Sequence, residues 1–443
     1  MTTDPTLGTA PEGQVWARRA VDESLRRLNF HEQVSTSLWF VPALFVAGAF
    51  LLSKVTVAID RAATFHAAPS WLLGGSTEAA TALTSTVASA MLTFLGVVFA
   101  TTLVAIQLAG GQYSPRIVRV FVRSRLTHLT LGTFLATFVF ALNGLVEVRG
   151  GVDPLVPVVT VAMVYLLLLA TLAMFVTFLH GMAKMLRVQY LLNRVTDEGR
   201  HAMRQSFPDV DAYRLSPAPD TDGGEVVANH TKAGVLQSVE RGALVDLAAR
   251  NGVHIELLVE VGEYLAVATP IAKVHPGAGT VSGDDVAGCF LIGGERTLIQ
   301  DPGFVFRQLV DVAIRALSPA VNDPTTGVQC IDRLVDLLAT VAARPDPTGW
   351  FADDAGVARL HCREPTLARL LDLSFVEIIR YGADSPQVVR RLRAAFDVLH
   401  GIVPPGSVAI IDELRHVLDQ TEDELMPAAF ASLSATPDRH GLG

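Results

Sequence analysis

Residues 79–108 read AATALTSTVASAMLTFLGVVFATTLVAIQL, without a single Asp, Glu, Lys, Arg or His. A helix needs about 20 apolar residues to cross a bilayer. This stretch is therefore a membrane span with length to spare, and it must tilt or project beyond the hydrocarbon. Three more segments read the same way, at about 38–57, 129–148 and 155–179. In the first, Trp39 sits where aromatic belts meet the interface, and Lys54 near the far end can snorkel. Composition agrees: of 443 residues, 50% are apolar and only 18% charged, too apolar for an ordinary soluble chain.

Charge sets the orientation. The segment after the second span carries Arg116, Arg119, Arg123 and Arg125 without an acid, and Lys184, Arg187 and Arg194 follow the fourth. The two intervening loops hold only Arg61 and Arg149, besides Asp60, Glu78 and Asp153. By the positive-inside rule both termini are expected in the cytoplasm and the chain in a plasma (inner) membrane. The opening residues are polar and carry no cleavable signal peptide pattern. From Gln14 to Thr36, Val15, Ala20, Val21, Leu25 and Leu28 alternate with Arg18, Arg19, Arg26 and Arg27. That pattern fits an amphipathic helix on an anionic leaflet, and equally a helix packed on the cytoplasmic domain.

Past Tyr190 the chain changes character. Residues 185–443 hold 23 Lys+Arg against 35 Asp+Glu, a net charge of −12, against +3 for residues 1–184. An acidic half lacks the basic footprint that nucleic acid requires. The three cysteines, Cys289, Cys330 and Cys362, are scattered, which fits a reducing compartment and no disulfide framework or zinc site. Strands are expected at 234–239, 253–261, 271–274 and 286–292, with a helix over 240–250 closed by Gly252. Gly262 marks a turn and Pro270 a strand edge. Helices are expected at 304–317, 325–343, 365–381, 386–401 and 408–425. The expected class is an α-helical membrane protein: four transmembrane helices, then a cytoplasmic α+β domain and a helical bundle. The boundaries are 1–36 for an N-terminal cytoplasmic segment, 37–183 for the spans and 184–225 for a linker. The α+β domain takes 226–300, the helical domain 301–428, and a disordered tail 429–443.

Two places invite a functional reading. In the second span, Ser85, Ser89, Thr93, Gly96 and Ala100 recur every three or four residues, and Gln107 extends the stripe. Such a face can line a pore in a symmetric oligomer. It can equally let helices pack closely. Gln107 and Asn143 in the third span must find partners, since an unpaired polar group costs several kcal/mol in lipid. With no arginine inside the spans and no acid there besides Glu147 at the very end of the third, a proton-coupled transporter is disfavoured. The second place is RALSPAVNDPTTGVQCID, residues 315–332. Pro319 stops one helix, and Asp323 followed by Pro324 starts the next as N-cap and first helical residue. The plainer reading is a rigid corner with internally satisfied polar groups. The functional one is a small-ligand or ion site using Arg315, Ser318, Asn322, Asp323 and Thr325.

Several phrases resemble a bacterial family of predicted multi-span membrane proteins catalogued as a domain of unknown function. They are QYSPR (112–116), GTFLATFVFAL (132–142), GERTLIQD (294–301), ALSPAVNDPTTGVQCIDRL (316–334, with its SPAxNDPxT core) and FVEIIRYG (375–382). The resemblance implies four spans and a plasma-membrane location, and no established activity. The chain departs from it in AGVLQSV (233–239), where a Gly-Tyr-Leu-Gln phrase is usual.

No P-loop, GxSxG, HExxH or EF-hand motif is present, and the twelve histidines are dispersed. No cofactor or metal is expected. The favoured reading is a homo-oligomeric channel-like protein in the lipid bilayer with a cytoplasmic regulatory domain. The alternative is a membrane-anchored sensor or scaffold that binds a ligand or protein through that domain. An enzyme using Asp301, Asp311 or Asp323 is the weakest of the three.

Overall fold

The computed structural model describes residues 39–63, 77–112, 124–150, 158–206, 223–298, 300–426 and 434–438. The expected N-terminal amphipathic helix lies outside these residues, as does most of 429–443. The chain forms two compact units, 31–191 and, from Leu192, the C-terminal remainder.

The first unit is a bundle of four helices long and apolar enough to cross a membrane. They are α1 (Phe40–Ala63), α2 (Thr77–Gln112), α3 (Arg125–Gly150) and α4 (Val158–Met185). Each extends beyond the expected span by several residues at one or both ends. Helix α3 packs against the other three. Its Phe134, Phe140 and Ala141 are buried with Met91 and Val98 of α2 and Val164 and Phe178 of α4. Outward-facing Leu44, Leu51, Leu92, Phe99, Leu166 and Leu169 are exposed. Large apolar groups pointing outward are what lipid, not water, would solvate.

The bundle interior corrects one expectation. Asp60 was expected in a loop; it lies inside α1 and is 3% exposed. Its carboxylate accepts hydrogen bonds from Val159 N (2.8 Å), Thr160 N (2.9 Å) and Thr160 Oγ1 (2.7 Å). Asp60 thus caps the N-terminus of α4 from another helix, meeting donors that would otherwise be orphaned. The hydropathy pattern hid it because α1 runs six residues past the expected end.

The second unit starts within α5 (Val188–Ser206), in a region expected to be linker. Then come β1 (Glu225–Ala228), β2 (Gly234–Val239), α6 (Arg241–Asn251), β3 (His254–Leu257), β4 (Tyr264–Leu265), β5 (Pro270–His275), α7 (Gly283–Ala287) and β6 (Phe290–Gly293). Helix α8 (Pro302–Ala316) and α9 (Pro324–Ala342) follow, then β7 (Trp350–Ala352), β8 (Ala358–His361), α10 (Leu367–Gly382), α11 (Pro386–His400) and α12 (Pro405–Leu425). One sheet runs β1-β5-β3-β8-β7 and a smaller one β4-β2-β6. Strand β8 lies parallel to β3, with Ile255 opposite Leu360; the remaining pairings are antiparallel. Strands from the expected helical domain therefore complete the α+β sheet, and the boundary at 300/301 is crossed. The expected strand 286–292 divides into α7, capped by Ser282, and β6.

Helix α6 lays Leu244, Val245 and Ala248 on the core formed with Ile255, Leu257 and Leu360. Among the helices, Phe375 of α10 meets Phe396 of α11 edge-on at 5.1 Å. Arg307 of α8 ties Asp311 (2.7 Å) on its own helix to Glu377 of α10.

Candidate functional site

The two places singled out by sequence behave differently. The corner between α8 and α9 closes on itself. Asp323 accepts from Thr326 N (3.1 Å) and Thr326 Oγ1 (2.6 Å), so both of its oxygens are engaged. Ser318 Oγ donates to Arg315 O at 2.7 Å, and Asn322 N and Asp323 N donate to Ser318 O and Ala316 O. Asn322 adopts φ +49°, a left-handed conformation that Asn tolerates best after Gly. Arg315 and Thr325 are exposed. A Cβ on Gly327 would meet Leu317 at 2.9 Å, so the corner is also sterically tight. The Ser318 and Asp323 side chains are thus satisfied within the turn.

The stripe of α2 faces away from its own bundle. Ser89, Thr93, Gly96 and Gln107 are exposed and Ser85 half-buried, while Ala80, Val87, Ala88, Met91 and Val98 turn inward. Ser85 and Thr93 hydroxyls donate to the backbone of their own helix, to Ala82 O (3.0 Å) and Ser89 O (3.2 Å). A hydroxyl bond between helices does occur, at Thr137–Thr171 (2.9 Å). Asn143 Nδ2 is buried with no hydrogen-bond partner among the described residues.

A third place, not foreseen, is a cleft of about 170 Å³ in the second unit. Its walls come from the start of α6 (Arg241), the turn after β3 (Glu260, Val261), the 296–303 segment, the segment after β8 (Arg363, Glu364, Pro365) and α10 (Arg369, Leu370, Leu373). It contains four arginines and three carboxylates, a net charge of +1.

Local structure places each group. Asp301 is the N-cap of α8, accepting from Phe304 N at 3.0 Å, with Pro302 as first helical residue. The same carboxylate grips Arg296 by two bonds, one of 3.0 Å to Nη2. Arg296 in turn stacks on Phe304 at 5.2 Å. Gly262, at φ +97°, lies so close to this pair that a Cβ would collide with the Asp301 carboxylate and the Arg296 guanidinium. Gln300 holds the end of β2, donating to Val239 O (3.1 Å) and accepting from Val239 N (2.9 Å). Arg241 pairs with Glu364 at 2.6 Å and lies 5.0 Å from the Phe351 ring. Arg369 donates to both oxygens of Glu260, at 2.6 and 2.5 Å. Arg363 is exposed and pairs with no carboxylate among the described residues.

The acids lie deep and the arginines shallow. Side-chain exposure is 5% for Asp301 and Glu364 and 19% for Glu260, against 23% for Arg241, 33% for Arg296 and 60% for Arg369. Burial pushes the Asp301 and Glu364 carboxyls above their ordinary range; their arginines oppose this, and the nearby Glu260 charge adds to it. An entering group therefore meets guanidinium forks before it meets carboxylates. Apolar Val261, Leu370 and Leu373 supply a second kind of wall. Of the residues named from sequence, only Asp301 belongs here. The phrase GERTLIQD had marked the segment without revealing its partners.

The family model described as "Predicted membrane protein (DUF2254)" matches residues 35–397. Similar curated proteins include uncharacterised proteins of Mycobacterium bovis and of Mycobacterium tuberculosis. Each is 28% identical over 377 residues, covering 80% of this chain and 72% of the relative. No solved structure matches the chain.

Proposed function

From its membership of the DUF2254 family of predicted membrane proteins, to which this chain belongs, we propose that it is a membrane-anchored sensor whose C-terminal unit binds a small ligand. The cleft between sheet and helices carries this reading. It combines converging charged groups with an apolar wall, the usual make-up of a small-molecule site. The cleft acids each hold an arginine, which suits binding better than proton transfer, so we read the chain as a binding protein and not an enzyme. The arginine-rich loop between the second and third spans supports a plasma-membrane protein with both termini in the cytoplasm, and hence a cytoplasmic cleft. Filling the cleft tests the reading. Screened against a metabolite library by thermal shift, the full chain should be stabilised by at least one compound through mass action. Leu373→Trp should fold and lose that response. Identical profiles for the two proteins would contradict a cleft ligand.

One observation favours the channel-like reading as a second role. The stripe of Ser89, Thr93, Gly96 and Gln107 is exposed on the single chain, where another copy could cover it or water could line it. Currents in planar bilayers that change with Ser89→Ala or Gln107→Ala would support a homo-oligomeric conduit. A silent bilayer containing assembled protein would refute it.

A further inference from the structure

Resting on the sensor reading of the cleft, we propose that its ligand is a small phosphomonoester, an organic molecule ending in a dianionic phosphoryl group. Charge is the first argument. Three carboxylates occupy Arg241, Arg296 and Arg369, leaving the surplus of one positive charge on Arg363. The N-terminus of the 15-residue helix α8 opens on the same cleft through Pro302 and Gly303 and adds positive potential. The ligand is therefore an anion.

Shape is the second. A guanidinium presents a planar fork of donors, and Arg241, Arg363 and Arg369 supply three of them at the shallow level of the cleft. A carboxylate has two oxygens and fills one fork. A phosphoryl group carries three oxygens and close to two charges at neutral pH, so it can engage two forks together. Glu364 engages Arg241 through Nη2 and Glu260 engages Arg369 through Nη1, so each guanidinium keeps further N–H groups for the incoming oxygens.

Size and polarity complete the case. A single water occupies roughly 10–15 Å³ of such space. The 170 Å³ of the cleft therefore exceeds what bare phosphate fills. Val261, Leu370 and Leu373 line the excess, which suits the carbon body of the ligand. A soluble metabolite and a lipid headgroup can both present this chemistry.

The test uses the full chain in phosphatidylcholine nanodiscs. Calorimetry would be run with inorganic phosphate, glycerol 3-phosphate and a nucleoside monophosphate, with glycerol and glycerate as neutral and carboxylate controls. The expected result is binding of phosphoryl probes, no binding of glycerol, and glycerate at least tenfold weaker. Arg363→Ala should weaken phosphoryl binding at least tenfold while leaving the unliganded melting temperature unchanged, because Arg363 holds no ion pair among the described residues. Arg363→Lys, which keeps charge but loses the fork, should fall between. Nanodiscs containing phosphatidic acid separate the two sources: loss of soluble-probe binding identifies a lipid headgroup, and its persistence a soluble ligand. Equal binding by wild type and Arg363→Ala, or failure of all three phosphoryl probes, overturns the proposal. If glycerate binds as well as the phosphoryl probes and Leu373→Trp abolishes both, the ligand class falls while the cleft reading survives. If other library compounds also stabilise wild type and Leu373→Trp alike, both fall.

Discussion

Arg363 and Glu364 are neighbours in sequence with opposite roles. Glu364 is buried against Arg241 and its carboxyl is pushed up by desolvation; Arg363 is exposed and unpaired among the described residues. This difference makes pH dependence predictable. A carboxyl with a raised pKa takes up its proton at a higher pH than usual. As pH falls through that range, Glu364 and Asp301 lose negative charge and the cleft becomes more positive. Sulfate stays a dianion throughout. Its affinity, followed by calorimetry at constant ionic strength, should therefore rise as pH is lowered. Glu364→Gln, which mimics the protonated state, should bind sulfate more tightly at neutral pH and show a flatter pH profile. A wild-type affinity that falls on acidification would contradict the assignment. None of this was legible in the sequence, because a lone Arg-Glu pair after a short strand has no local signature.

Elements whose ends are written locally were legible. The Asp-Pro step at 323–324 sets the start of α9 to the residue, and Gly252 closes α6 in the left-handed conformation. A second Asp-Pro, at 301–302, carries the same signal; it starts α8 two residues earlier than the hydrophobic pattern indicated and builds one wall of the cleft. Strands β7 and β8 escaped notice because three or four residues show too little alternation to read. Their place depends on a parallel pairing with β3, about a hundred residues away, that only the folded sheet supplies. At the corner, removing the cap by Asp323→Ala should cost about 1 kcal/mol. Asn322→Gly should be near neutral, since Gly accepts positive φ freely. Asn322→Val should lose about 1–2 kcal/mol, because a β-branched side chain is strained there. Chemical denaturation of the full chain monitors all three. Equal effects of Gly and Val would show that the turn is not held as described.

The whole molecule divides into a membrane bundle and a C-terminal unit, and composition alone announced that division. Four spans were evident because apolar runs need no partner to be recognised. The cleft was hidden for the opposite reason: the pair Glu260–Arg369 spans 109 residues, and 294–303 joins it only after β2, α6 and α8 are assembled. The corner motif closes on itself through the hydrogen bonds of Ser318 and Asp323, and the cleft proposed to take a ligand lies elsewhere in the same unit. The most direct test of this account is hydrogen–deuterium exchange on the full chain in nanodiscs, with and without inorganic phosphate. Slowed exchange confined to residues 260–263, 294–303 and 363–373, with no change at 318–326, is the predicted result. No protection at those three segments, or protection centred on the 318–326 corner, would contradict it.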